Sequence, residues 1–156
     1  MQQTFIMKLT PFLIPALLIT LVYCVLSCSK SNGGKPSISI ESITTTVDQN
    51  TANMVATLKF KSPGGKLSGG SFYSFRTRLN QDPPANPAGG SDTLANPIPS
   101  FPNQTQGELV YTLPYNGYLS YGGTENDTLV FKFWAVDAAG NTSDTVSSPK
   151  IIIVNQ

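Results

Sequence analysis

The sequence predicts an all-β fold: a single β-sandwich of about seven strands that follows a cleaved signal peptide. Apolar and polar residues alternate in several segments, no segment has the apolar spacing of an amphipathic helix, and Gly- and Pro-rich stretches separate the strand candidates. Removing residues 1–27 from the 156-residue chain leaves the length of a single domain. We therefore divide the chain into a signal (1–27), a tether (28–36) and a domain (37–156).

Residues 1–27 have the layout of a secretory signal. Lys8 is the only charged residue before an apolar run that extends from Leu9 to Leu26. The run is close to the ~18-residue lower limit for a transmembrane helix, so a retained anchor is the alternative. Pro11 and Pro15 would interrupt the first turns of such a helix, and this favours the cleaved signal.

The residues at the end of the apolar run resemble the lipobox of bacterial lipoproteins. Val25-Leu26-Ser27-Cys28 supplies an aliphatic residue, a small residue and then cysteine. The resemblance implies that the signal is cut before Cys28 and that its thiol carries diacylglycerol, with palmitate-type chains as the membrane anchor. The alternatives are a spare thiol or a disulfide with Cys24. Ser29 stands where Asp would signal inner-membrane retention, so the resemblance implies the outer membrane.

The segment 28–36 that follows is rich in Ser, Gly and Asn. Such a composition buries little apolar surface and gives a flexible chain. We expect it to act as a tether between the lipid and the folded domain.

Three segments of the domain show strict alternation. In the segment 53–62, one face of the predicted strand carries Met54, Ala56, Leu58 and Phe60. In the segment 71–80, one face carries Phe72, Ser74, Arg76 and Arg78, and the other carries Tyr73, Phe75, Thr77 and Leu79. In the segment 127–137, one face carries Leu129, Phe131, Phe133 and Ala135. Weaker strands are predicted over 37–46, 108–113 and 145–154. The proline-rich segments 80–92 and 96–107 are predicted to be loops or at most edge strands, because proline lacks the amide proton of a central ladder.

The carboxyl-terminal stretch FKFWAVDAAGNTSDTVSSPKIIIV resembles the last two strands of fibronectin type III and bacterial Ig-like domains. The resemblance covers 127–154 and implies an Ig-like sandwich. In the turn between the two strands, we expect Asp137 to accept hydrogen bonds from loop amides. A calcium site with Asp127 or Asp144 is the alternative, but no ligand-dense spacing supports it, so no metal is predicted.

Composition argues against several functions. The mature chain would carry nine basic and nine acidic residues, so it lacks the basic surface that binds nucleic acid. The sequence contains no histidine, no Gly-x-Ser-x-Gly elbow and no carboxylate pair with a recognisable spacing. We therefore predict neither an enzyme nor a cofactor.

Two surfaces are candidates for binding a partner. In the fibronectin-like strand order, Phe72, Arg76, Arg78, Lys132 and Trp134 would share an outer face as an aromatic and cationic strip. In the alternative, the Arg and Lys side chains merely cover Trp134. A loop cluster of Tyr115, Tyr118 and Tyr121 is the second candidate, and its alternative is that these rings pack against the proline-rich loops and seal one end of the core.

Three Asp-Thr-aliphatic triplets resemble an O-glycosylation motif of some Gram-negative secreted proteins. The resemblance implies sugars on Thr93, Thr128 and Thr145. Threonine also suits strands, so the triplets have a purely structural alternative.

These observations together predict a lipid-anchored outer-membrane protein whose domain binds a glycan or an envelope protein without catalysis. A structural lipoprotein that supports an envelope complex and has no small ligand is the alternative. Fold class alone does not choose between them.

Overall fold

The computed structural model of the chain describes residues 34–80, 91–102, 104–120 and 123–155, all within the unit Asn32–Gln156. The predicted signal, most of the tether, Cys28 and Tyr121 lie outside these residues. Within them the backbone forms nine strands: β1 (Ser37–Ile43), β2 (Thr46–Val47), β3 (Asn53–Lys61), β4 (Ser71–Arg78), β5 (Thr93–Pro97), β6 (Gln106–Pro114), β7 (Asp127–Val136), β8 (Val146–Ser147) and β9 (Ile151–Ile153).

The strands form two sheets that pack as an Ig-like sandwich, which confirms the predicted fold class. One sheet has the order β1-β3-β6, and the other has the order β2-β9-β7-β4-β5 with β8 beside β7. The pairing of β2 with β9 is parallel, whereas the other pairings are antiparallel. The chain crosses from the first sheet to the second between β1 and β2.

The hydrophobic core lies between the sheets and follows the predicted alternation of β3 and β7. Met54, Ala56, Leu58 and Phe60 are buried from one side, and Leu129, Phe131, Phe133 and Ala135 are buried from the other. The aromatic rings contribute contacts within this layer: the Phe72 and Phe133 ring centroids are 5.7 Å apart. Burial of these side chains is the main favourable term for the fold.

Two predicted strands are split in the structure. The segment 37–46 divides into β1 and β2, which belong to different sheets. The segment 145–154 divides into β8 and β9 around Pro149, which has no amide proton to donate to a ladder. Beside this proline, the Phe131 amide donates to the Ser148 hydroxyl at 2.9 Å and the Phe131 carbonyl oxygen accepts from the Ser148 amide at 2.8 Å, so both main-chain groups of Phe131 are satisfied where the strand is interrupted.

The prediction for the proline-rich segment 96–107 is confirmed where the structure describes it. Strand β5, which ends at Pro97, lies at the edge of the larger sheet, and its described neighbour in the sheet is β4. Proline has no amide proton to donate, and at the edge of a sheet this does not interrupt a ladder between two central strands.

The turn between β3 and β4 brings the backbone of Gly70 against β7. A Cβ atom at this position would lie 2.2 Å from the Val136 carbonyl oxygen, far inside van der Waals contact. Gly107 in β6 is also close-packed, but its Cβ would meet the rim of the Phe60 ring at 2.9 Å. A ring can rotate away, whereas a backbone carbonyl in a ladder cannot.

We therefore expect Gly70→Ala to destabilise the domain more than Gly107→Ala. Overpacking costs about 1–3 kcal/mol, and Gly70→Ala should reach or exceed the upper end of that range. Chemical denaturation of both variants measures the difference. Equal unfolding free energies would contradict the close approach of Gly70 to Val136.

Candidate binding surface

Two aromatic side chains stack on the solvent-facing side of the larger sheet. Tyr73 in β4 and Trp134 in β7 are directly opposite each other in the antiparallel ladder. Their ring centroids are 5.2 Å apart and the ring planes differ by 2°. Both residues are partly exposed, so the pair presents an apolar surface to solvent.

The next outward-facing pair extends this surface. Phe75, which is 37% exposed, lies opposite the exposed Lys132 in the same ladder. We call Tyr73, Phe75, Lys132 and Trp134 the outer aromatic strip. It combines three aromatic rings with one cation on a sheet surface, a composition typical of binding sites.

The predicted strip is wrong for three of its members, because the other face of β4 points outward. Phe72, Arg76 and Arg78 lie opposite Ala135, Phe131 and Leu129, all of which face the core. The alternation in β4 is ambiguous because both of its faces carry aromatic residues. The two arginines favour the interpretation that their face points to solvent. Lys132 and Trp134 do lie on the outer face, and Tyr73 and Phe75 take the places of the three buried residues.

Arg76 is held inside the domain by polar and aromatic partners. Its side chain is fully buried, and its Nε donates a hydrogen bond to the Asp92 carboxylate at 2.8 Å. Its Nη1 donates to the Tyr118 carbonyl oxygen, and the guanidinium carbon lies 4.2 Å from the centre of the Tyr118 ring. Arg76 therefore forms a cation–π contact with Tyr118, and Trp134, the partner expected from the sequence, stacks on Tyr73.

Arg78 forms a second buried ion pair, with Asp127 at the start of β7. The Arg78 and Asp127 side chains are 4% and 0% exposed, and Nη1 of Arg78 contacts the carboxylate directly. Nη2 donates to the Leu119 carbonyl oxygen at 3.1 Å. The two arginines thus connect β4 to the turn Tyr115–Leu119.

The two described tyrosines of this turn are buried with the core, which agrees with the alternative that these rings seal the core and not with an exposed cluster. Tyr115 and Tyr118 are 7% and 6% exposed. The Tyr115 hydroxyl donates to the Val154 carbonyl oxygen at 3.1 Å, and burial raises the pKa of Tyr118 to about 12. The Tyr118 phenol therefore stays neutral at physiological pH, and neither ring is available to a partner.

The threonines of the Asp-Thr-aliphatic triplets differ in accessibility. Thr93 and Thr145 are exposed, whereas Thr128 is half-buried. Glycosylation of any of them stays a prediction.

Asp137 organises the turn after β7, as expected from the sequence. Its carboxylate accepts hydrogen bonds from the Ala139 and Asn141 amides at 2.9 and 2.8 Å and from the Asn141 side chain at 2.9 Å. Burial alone would raise the pKa of Asp137, but the hydrogen bonds from Asn141 and Ala139 lower it on balance. In the part of the chain that the structure describes, no three His, Cys, Asp or Glu residues are grouped as a metal site.

A shallow groove of about 650 Å³ crosses the smaller sheet, and sequence reasoning missed it. Side chains of its three strands line it: Ser37 and Ser39 from β1, Lys59 and Lys61 from β3, and Gln106 and Glu108 from β6. Lys59 is paired with Glu41, which lowers the pKa of that carboxyl and raises the pKa of Lys59. Lys59, one of the three charged residues that line the groove, is thus neutralised by Glu41, and the groove has no exposed aromatic pair, so the outer aromatic strip is the stronger candidate.

Comparison with known proteins leaves the function to be argued from this geometry. No protein-family model matches the chain, and no match was found among the curated proteins. A search of the described residues for a helix long and apolar enough to cross a membrane found none.

The buried ion pair between Arg78 and Asp127 provides a test of this geometry. Asp127→Asn would leave a buried guanidinium charge uncompensated, and we expect it to lower the unfolding free energy by about 3–5 kcal/mol. Lys35→Met removes the exposed pair between Lys35 and Asp144, which are 2.5 Å apart, and should cost less than about 1 kcal/mol. Denaturant titrations of the two variants compare the losses, and similar losses would contradict the buried placement of Asp127.

Proposed function

We propose that the chain is a lipid-anchored, non-catalytic binding module of the bacterial outer membrane, and that the outer aromatic strip is its recognition surface. The observation that carries the proposal is the stacked pair of Tyr73 and Trp134 on a solvent-facing sheet. Contiguous apolar surface that is left exposed on a domain marks interaction sites, so three aromatic rings grouped on this sheet face favour a role in binding.

A carbohydrate is the partner class that this surface suits best. The strip lies on a sheet, where regular strands hold its side chains in fixed positions, and stacked rings offer an apolar platform for the face of a sugar ring. Lys132, at the margin of the platform, supplies ammonium donors for hydroxyl oxygens. The second partner class that we propose is a protein that binds over the same rings.

The non-catalytic part of the proposal is supported by the side chains. The chain has no histidine, and both arginines of β4 are occupied by internal partners. The strip itself contains a single amine, that of Lys132, and has no carboxylate or imidazole beside it to complete an acid–base pair.

The recognition surface can be tested on an array of purified oligosaccharides and polysaccharides. We expect Trp134→Ala and Tyr73→Ala to weaken binding about 30-fold or more, because truncating a central aromatic residue costs about 2 kcal/mol or more. Val130→Ala changes another outward-facing residue of β7 and serves as the matched control. Trp134 is the only tryptophan in the chain, so its emission reports ligand binding directly in the wild type and in Tyr73→Ala.

The result that would contradict this assignment is equal binding by the wild type and Trp134→Ala. If the array shows no ligand, a protein partner is sought by affinity capture with the wild type and with Trp134→Ala. A partner that is captured equally by the two proteins would also contradict the recognition surface. Circular dichroism of each variant separates loss of binding from loss of fold.

The anchor is tested separately by mass spectrometry of the amino-terminal peptide and by detergent-phase partitioning. We expect the mature chain to begin at Cys28 with diacylglycerol on its thiol and to enter the detergent phase. Cys28→Ser should abolish both properties, and Cys24→Ser should change neither. A mature chain that starts at Met1 or carries a free Cys28 thiol would contradict the anchor and leave the binding proposal standing.

A further inference from the structure

The outer edge of β6 has no partner strand among the residues that the structure describes. In the order β1-β3-β6, β6 pairs with β3 along Gln106–Pro114, in an unbroken register from Asn53 opposite Pro114 to Lys61 opposite Gln106. The open edge therefore runs for nine residues. Open edges of this length are templates for another strand.

The ladder identifies which main-chain groups face outward. At its two ends the Ser62 amide donates to the Thr105 carbonyl and the Tyr115 amide donates to the Ala52 carbonyl, at 2.7 Å each. Hydrogen-bonded pairs alternate along an antiparallel ladder, so the odd-numbered residues of β6 bond to β3. The outward-pointing amides and carbonyls belong to Gln106, Glu108, Val110 and Thr112.

The side chains along this edge do little to discourage pairing. Val110 is 69% exposed, the largest value among the exposed large apolar residues, and its neighbour across the ladder is Thr57. Val55, which is 38% exposed, lies opposite Thr112 on the same outer face. Natural edges are usually protected by lysine, an internal proline or a bulge, whereas β6 has one charge, Glu108, and its proline is the terminal Pro114.

We propose that the β6 edge is a homodimer interface, in which two copies pair antiparallel about a two-fold axis at Val110. In this register Val110 lies opposite Val110 of the second copy, and Glu108 lies opposite Thr112 of the second copy. All of these residues have outward-pointing amides and carbonyls, so each opposed pair exchanges two hydrogen bonds. The β-branched residues Val55, Thr57, Val110 and Thr112 of both copies then form one continuous patch.

The charge of Glu108 and the length of the overlap between the two strands favour this register and a second copy as the partner. Centring the pairing on Glu108 would place two carboxylates directly opposite each other, which destabilises a sheet. Centring it on Thr112 would shorten the overlap and bring Val110 opposite Pro114, which has no amide proton. Centring it on Leu109 would also pair the outward main-chain groups, of Glu108 with Val110 and of Gln106 with Thr112, but it would bring the two Glu108 carboxylates to diagonal positions. The axis at Val110 keeps these carboxylates farther apart, although Gln106 then lies opposite Pro114 and that pair forms one hydrogen bond fewer. A foreign strand is the alternative that the experiment excludes.

The experiment is sedimentation equilibrium of the full-length chain in mild detergent. We expect the wild type to dimerise, and Val110→Lys and Val110→Glu each to weaken dimerisation about a hundredfold or more, because like charges meet at the two-fold axis. An equimolar mixture of the two variants should recover the dimer. Ser42→Lys places the same charge at an exposed position of β1, on the far side of Thr57 from Val110, and should remain dimeric.

Several results would overturn the proposal. They are a wild type that stays monomeric at every soluble concentration, a Val110→Lys variant that dimerises like the wild type, and a mixture of the charged variants that stays monomeric. A foreign protein that copurifies with a monomeric wild type and is lost with Val110→Lys would assign the edge to that protein. Since the Val110 side chain is largely exposed, the charged variants should keep the unfolding midpoint that the wild type shows at concentrations where it is monomeric, and this measurement excludes misfolding.

Discussion

The pairing of β4 with β7 is the constraint on which the rest of the domain depends. Eight consecutive residue pairs join Ser71–Arg78 to Leu129–Val136, and the pleat assigns every side chain of both strands to the core or to solvent. A shift of one residue would bury Tyr73 and Phe75 and expose Phe72. The outer aromatic strip, the core of phenylalanine rings and the buried arginines are therefore consequences of one register.

That register places two cations inside a domain that has few charged residues. Each arginine is stabilised by a carboxylate and by a carbonyl of the turn Tyr115–Leu119, and the Tyr118 ring covers Arg76. Buried charges of this kind contribute little net stability, but they penalise any arrangement that separates the partners. A β4 strand slipped by one residue would separate both guanidinium groups from these partners.

The sequence was sufficient for the fold class and for the faces of β3 and β7, because strict alternation leaves one apolar face on each strand. It was insufficient to assign the faces of β4, because Phe72, Tyr73 and Phe75 place aromatic rings on both faces. The two arginines also lie on the buried face, although arginine is usually exposed to solvent. The carboxylates that neutralise these arginines come from Asp92 and Asp127, which are distant in the chain, so no local pattern reveals them. The free edge of β6 likewise depends on strand order, which the pattern of residues does not contain.

The way in which β1 is attached has a mechanical consequence. Its six residue pairs with β3 run antiparallel from Ser37, so tension applied ahead of Ser37 and in line with the strand would load the hydrogen bonds within each section of the ladder together. The irregularity between Ile40 and Ser42 divides this ladder, and its first section should therefore detach before the second. β2 is paired to β9 in the other sheet, so a domain pulled in this way can lose its first strand segment while the sheet that carries Tyr73 and Trp134 stays intact.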